Sequence, residues 1–504
     1  MSKQTRTHRR SRKESARRDF LVGSLSWAGL AALGPVVTTA GCANLDRLIV
    51  GDGDDESAKV VILGAGLSGL VAARELRRLG TPFRIYESQR RIGGRILSVN
   101  SFNAADQTAD LGGEWIRDDD DFVLGLCKEL KIPLEAVPWS LRLPQRLLES
   151  KRQELRLQAA EFQTFNRRVL DWKSQLSAEK IDRFSGQDLW QTHGRGLSAE
   201  SEWLWQAIVQ REWGVDPQEL SALQLLDRMG EHPFGLETWK ARRWHLPGGA
   251  AVLPRALFDK IAGVIPDQLV VREHRLTEVR EKLGKLFLSF ETPKGDFEIK
   301  AEVVICTLPW SVLRKVKGVD SLSFGALKTE AISDLNFSTS AKASASFTNR
   351  FWNGKGGEWI TDSTVQIWDA TPQVQPLAPV SRGVLTWQMN GQAGAEAGPE
   401  SIVGCLSKIA ALTNKGQELS AEAYQVMNWQ SSPDSLGSQP YLRPGQVHRW
   451  SEVLGTAERK GRFVFAGDAT LYDGMGTLNG AVQSGIRAAR EATQVRSRST
   501  PASG

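Results

Sequence analysis

The chain has 504 residues, of which 41% are hydrophobic and 24% charged, an ordinary balance for a globular protein of two or three domain-sized units. Its formal charge of +6 is concentrated at one end: residues 1–41 hold eight Lys or Arg against two acids, which leaves 56 of each sign in the remainder. A neutral body without a clustered basic excess excludes a nucleic-acid-binding role.

The basic segment comes first in chain order. Arg17-Arg18-Asp19-Phe20-Leu21 resembles a twin-arginine export motif, although Ala16 and Val22 stand where Ser and Lys are preferred. An uncharged, moderately hydrophobic stretch interrupted by Gly and Ser runs on to Gly41, which suits such a signal better than a membrane span. Thr39-Ala40-Gly41-Cys42 resembles a lipoprotein processing site, so Cys42 is a candidate for lipidation. An uncleaved anchor helix, or cleavage without a lipid, is the plainer alternative. The expectation is an exported bacterial protein, periplasmic or membrane-anchored through Cys42, that uses the twin-arginine export machinery. Residues 42–57 read as an acidic, solvated linker.

Next comes Val60-Val61-Ile62-Leu63, a short β-branched run that feeds Gly64-Ala65-Gly66-Leu67-Ser68-Gly69 and then a helical pattern. In this order Gly64 allows the tight turn, Gly66 lets the main chain approach a pyrophosphate, and Gly69 permits close helix–strand packing. The helix N-terminus offers its N–H groups to phosphates. A second strand (82–86) ends at Glu87, followed by Ser88, about 20 residues past the glycines, where a carboxylate can accept hydrogen bonds from a ribose. Strand, glycines, helix, strand and acid together predict a dinucleotide site.

From about Arg142 to Met229 the pattern turns helical, and its Trp residues read as core before ligand contacts. Strand signals return from Arg243, with Leu276 and Val279 in one of them and Cys306 inside an apolar run. Residues 320–430 alternate strands with helices such as Ser401 to Leu412. The last unit is Phe463-Val464-Phe465-Ala466-Gly467-Asp468, a loop, and a helix from Thr477. This order predicts two interleaved domains with a ligand along their interface. The nucleotide-binding domain takes residues 58–141, 243–318 and 431–495. The substrate domain takes a helical part, 142–242, and a second part, 319–430. Residues 496–504 read as a disordered tail. Cys127, Cys306 and Cys405 lack metal-ligand spacing, and no metal is expected.

Several motifs converge. Arg91-Ile92-Gly93-Gly94-Arg95, Leu111-Gly112-Gly113-Glu114-Trp115, Gly467-Asp468-Ala469-Thr470 and Gly476-Thr477-Leu478-Asn479-Gly480 follow the glycine turn in order. Together they resemble the flavin monoamine oxidase family, over roughly residues 58–495. The resemblance implies an α/β fold in which a Rossmann-like FAD-binding domain is interleaved with an α+β substrate-binding domain. It also implies FAD, with Arg95 at the pyrophosphate, Gly93, Gly94, Gly112 and Gly113 beside the cofactor, and the Leu276 main chain at the adenine. Asp468 would bind a ribityl hydroxyl, and the helix after Thr477 and Leu478 would point its positive end at the flavin. Ser438 stands where covalent members carry a flavin-linked Cys, which implies noncovalent FAD.

The resemblance further implies that Lys342 assists reoxidation of the flavin by oxygen and that Trp429 packs beside the ring. By itself, a lone Lys in an alternating strand reads as solvated surface. The two slot positions that many relatives fill with aromatic rings are Gln439 and Thr477, with Tyr441 a substitute for the first. Trp115 stands where L-amino-acid oxidases carry an Arg, which favours amines without a carboxylate, although Arg117 could still clamp an acid. The expected reaction takes hydride from the α-carbon of a neutral amine to flavin N5, hydrolyses the imine and returns peroxide from oxygen. The alternatives are an L-amino-acid oxidase, a desaturase or protoporphyrinogen oxidase of the same superfamily, and an exported flavoprotein serving only binding or electron transfer.

Overall fold

The computed structural model describes residues 60–100, 107–137, 141–142, 152–229, 243–262, 269–352, 358–362, 364–371, 382–413 and 419–499. The expected export signal, Cys42 and the acidic linker lie outside the described residues.

A five-stranded sheet organises the first lobe, in the order Phe463–Phe465, Val303–Cys306, Val60–Leu63, Phe83–Tyr86 and Val270–Val271. Every pairing in it is parallel. Val60–Leu63 and Val303–Cys306 are buried at every position, as a parallel sheet covered on both faces requires. Alternation along these strands divides the core. Val60, Ile62, Val303 and Ile305 pack with helix Leu67–Arg78 and the last helix, Leu478–Ser499. Val61, Leu63, Val304 and Cys306 face a core shared with the antiparallel sheet Arg275–Lys282, Lys285–Thr292 and Gly295–Ala301, and with the helices of the second lobe. The two helices cross at Gly485, where a Cβ would stand 2.4 Å from Ser68 O. The last helix continues to Ser499, into the segment expected to be a tail.

The second lobe combines helices with a six-stranded sheet. The helices include Arg152–Lys173, Gly186–His193, Ala199–Trp213 and Ala222–Met229. Phe162, Phe165, Trp190 and Trp205 fill the space between them, so these Trp residues are core. The sheet order is Ala423–Asn428, Ala341–Phe347, Gly383–Met389, Val365–Asp369, Glu358–Asp362 and Leu141–Arg142. Ala341–Phe347 is buried throughout. Ala341, Ala343 and Ala345 turn to a core with Trp352 and Trp387, and the small methyl groups make room for those indoles. Lys342, Ser344 and Ser346 turn to the other face, where Ser344 and Thr386 hydroxyls pair at 2.8 Å. A three-stranded patch links the segments: Arg243–His245 pairs with Ile116–Arg117 and with Glu135–Ala136. The described cysteines Cys127, Cys306 and Cys405 are buried, and none of them is in a disulfide among the described residues.

Candidate active site

One cavity of about 310 Å³ runs from the glycine turn into the second lobe. At its first end, Gly64 has φ +101°, and a Cβ on Gly69 would stand 2.1 Å from Gly64 O, so the turn accepts only glycine at both places. Helix Leu67–Arg78 has no side-chain cap and no acidic residue in its first turn, which leaves its leading N–H groups available to an anion. Gly64, Gly66, Leu67 and Ser68 line the cavity. Ala65 and Gly69 do not: Ala65 donates its N–H to Glu87 at 2.7 Å, and Gly69 packs on Gly64.

Glu87 also accepts the Gln89 N–H at 2.8 Å and the Ser88 hydroxyl at 3.2 Å. Burial pushes its carboxyl above the usual range, against the pull of those donors. Glu87 and Ser88 line the cavity beside Gly93 and Gly94, whose φ of +103° and +59° carries the chain past Gly66. A Cβ on Gly94 would lie 3.2 Å from the Gly66 Cα. Arg95 donates to Ser438 O at 2.6 Å and forms an ion pair with Asp468. Gly467 stands beside it, with φ +123°. Leu276, in contrast, is packed opposite Phe290 in the sheet core, outside the cavity lining. The strand register shifts just after it, between Leu276 and Glu278.

At the second end, Lys342 is buried and donates to Gly112 O at 2.9 Å and to Glu114 at 2.8 Å. It is therefore not the solvated surface lysine that its alternating strand suggests on its own. Glu114 takes a second bond from the Trp368 indole at 3.2 Å, and the Lys342 ammonium stands 4.9 Å from that ring. Trp115 leans on Trp368 with centroids 5.6 Å apart. Gly112 is required by close approach: a Cβ there would be 2.1 Å from Arg95 O. Gly113 packs on Leu478. Asp110, just outside, accepts the Ala250 N–H at 3.0 Å. Its carboxyl is pushed up to about 7, first by burial and then by the Glu114 charge.

Trp429, Gln439 and Thr477 line the same cavity. Trp429 is fixed by its indole N–H on Leu111 O at 2.9 Å, and Gln439 reaches Glu212 O at 3.3 Å. Thr477 accepts the Gly480 N–H at 3.0 Å and so caps the last helix, whose start turns to the cavity. Tyr441 departs from expectation. It is buried in the core outside the cavity, and its hydroxyl donates to Glu219 at 3.0 Å. Burial first, and that acid second, push its phenol up to about 12. With its hydroxyl committed to Glu219, Tyr441 cannot replace a slot aromatic.

Sequence reasoning missed Arg211, Glu212, Arg228, Arg243 and Asp120, which join Arg117 in the lining. Arg211 and Glu212 read as part of an amphipathic helix and Arg243 as a strand edge. No local pattern marks them, because they meet only when helices Ala199–Trp213 and Ala222–Met229 pack beside strand Arg243–His245.

A parallel sheet with a glycine turn opening into a cavity between two lobes defines a dinucleotide-binding protein with a second lobe over the ligand. Over residues 67–493 the chain matches the model for flavin containing amine oxidoreductases, and it belongs to that family. It is an FAD-dependent oxidoreductase acting on amines. YobN of Bacillus subtilis is 24% identical over 86% of this chain and 95% of that protein. The L-amino acid dehydrogenase of a Synechocystis strain is 24% identical over 90% of this chain and 99% of that one. Putrescine oxidase bound to putrescine superposes with a TM-score of 0.69 at 18% identity, covering 87% of this chain and 99% of that chain.

Proposed function

We propose that the chain oxidises an amine to an imine with noncovalently held FAD, outside the cytoplasm, with oxygen as the final acceptor. One observation carries this reading: the glycine turn and the buried Lys342–Glu114 pair line a single cavity. The residues present fit the cofactor, since main chain free of Cβ atoms at Gly66 and Gly94 makes a cradle for a pyrophosphate. When bound, FAD supplies the acceptor for the hydride of the amine α-carbon and the route of the electron pair to oxygen.

The protein's own groups bind and orient. The first turn of helix Leu67–Arg78 and Arg95 take the phosphates, and Glu87 and Ser88 take the ribose. Asp468 takes a ribityl hydroxyl, and Gly93, Gly112 and Gly113 let main chain run close to the ring system. Trp115, Trp368 and Trp429 exclude water from the reacting end, which strengthens every charge held there. Lys342, fixed by Glu114 and Gly112 O, keeps a cation where negative charge develops. Thr477 holds the last helix with its positive end toward the same region. Ser438 lines the cavity, and none of the described cysteines does, which supports noncovalent attachment. The twin arginines and Cys42 support export with lipid attachment. Among the described residues no helix is long and apolar enough to cross a membrane.

Anaerobic addition of amines to the holoprotein tests the chemistry: a good substrate bleaches the flavin absorbance, and air restores it with release of peroxide. A yellow protein that no amine bleaches would leave only a binding or electron-transfer role. Acid precipitation releases the flavin into the supernatant if attachment is noncovalent. Arg17→Lys with Arg18→Lys holds the protein in the cytoplasm, and Cys42→Ala frees it from the membrane.

A further inference from the structure

Two of the relatives above are named for L-amino acids and the third for putrescine, and the cavity bears on the choice. Arg117 and Arg243 stand directly opposite each other in the antiparallel pair Ile116–Arg117 with Arg243–His245. Like charges in that arrangement repel unless acids or an anion lie between them. The acids at hand are used. Glu212 accepts from Arg243 at 3.2 Å and lies 3.8 Å from Arg211. Asp119 and Asp120 lie 3.2 Å and 3.8 Å from Arg117.

Arg228 is the exception. It lines the same cavity, yet among the described residues no carboxylate lies within ion-pair distance of it. Its guanidinium donates to a neutral carbonyl, Met475 O, at 2.9 Å and stands 5.4 Å from the Trp213 ring. Its Nε is buried without a partner. Burial and then the Arg117 charge hold Arg228 below its ordinary value, at about 10, against the pull of the Glu212, Asp120 and Asp119 charges, so it remains a cation at neutral pH with no carboxylate in direct contact among the described residues. The position suits a substrate group: Arg228 grips the loop at Met475, beside the cavity-lining Gly476 and Thr477. Arg243 lies 5.9 Å from the Trp115 ring, which links this cluster through Trp368 to Lys342.

We infer that Arg228, backed by Arg117 and Arg243, binds a carboxylate on the substrate, so that the amine oxidised is an amino acid. This inference rests on the amine-oxidase reading and reverses the preference for carboxylate-free amines expected from Trp115. The anion grip comes from the helical lobe instead of the position after Glu114.

The test uses holoprotein and matched pairs, L-leucine with 3-methylbutylamine and L-phenylalanine with 2-phenylethylamine, with 3-methylbutyrate as an unreactive probe. The expected result is a kcat/KM for the amino acid at least tenfold above its matched amine. Arg228→Gln raises the amino-acid KM about 10²-fold, more than it lowers kcat, and Arg228→Lys recovers part of the loss. Calorimetry finds 3-methylbutyrate binding to the wild type and lost in Arg228→Gln. A matched amine oxidised as well as the amino acid, or carboxylate affinity unchanged in Arg228→Gln, overturns the inference while the amine-oxidase reading stands. Should Arg228→Gln fail to fold, the wild-type pair ratio and the 3-methylbutyrate titration decide. If no member of either pair bleaches the flavin, the amine-oxidase reading falls, and the titration still decides the carboxylate site.

Discussion

At the glycine end of the cavity the lining is built around the turn residues Gly64, Gly66, Leu67 and Ser68 with Gly93 and Gly94, beside Glu87 and Ser88. At the tryptophan end it is drawn from Glu114, Trp115, Arg117, Arg211, Glu212, Arg228, Arg243, Lys342, Gln366, Trp368, Trp429 and Gln439. The glycine turn has no room for a Cβ at Gly64 or Gly69, and the second end depends on which charges pair. A main-chain site is lost when one atom is added, whereas a side-chain site degrades by stages as partners are removed. Substitutions at the two ends should differ accordingly.

The largest effect is expected at the main-chain end. Gly69→Ala places a Cβ 2.1 Å from Gly64 O, and the backbone there cannot yield. The purified variant should be colourless, as read by visible absorbance per protein. A yellow Gly69→Ala protein would break the contrast between the two ends.

Lys342→Met comes next. It removes the fixed cation and leaves Glu114 buried with only the Trp368 donor, so aerobic turnover should fall on the order of 10²-fold. Adding Glu114→Gln removes the stranded charge, and the double variant should regain thermal stability without regaining turnover. Recovery of turnover as well would mean that Lys342 serves only to neutralise Glu114.

A smaller, pH-dependent effect belongs to Asp110. Its carboxyl titrates near 3.8 in the unfolded chain and near 7 in the folded one, because burial and the Glu114 charge favour the protonated form. Between those values the folded state holds the extra proton, so this group makes stability fall as pH rises. Asp110→Asn keeps an oxygen for the Ala250 N–H. The variant should match the wild type near pH 4 and exceed it by roughly a few degrees in Tm at pH 7. A constant gap across that range would remove Asp110 from the pH response. Smallest is Thr477→Ala, which deletes the cap on the Gly480 N–H and should cost about 1 kcal/mol in denaturant unfolding.

The same contrast accounts for what could be read in advance. The glycine turn, its flanking strand and helix, and Glu87 were legible because each is a local backbone requirement that leaves residue types at fixed spacing, whereas Gly112 and Gly113 came from the resemblance. Lys342 was found by resemblance alone; its own strand pattern suggested a solvated lysine. Tyr441 was misplaced because a hydrogen bond to Glu219 holds it in the core, and that bond leaves no mark nearby in the chain. Arg211, Arg228 and Arg243, which join the expected Arg117, were invisible for the same reason.

Periodicity and glycine spacing by themselves determined that this chain builds a parallel nucleotide-binding sheet, since side-chain alternation and φ-space act over a few residues. Only the tertiary structure decided which charges meet over the reacting end. Ion pairing there depends on distances between segments more than 100 residues apart, as between Lys342 and Glu114, and those distances exist only after both lobes have packed.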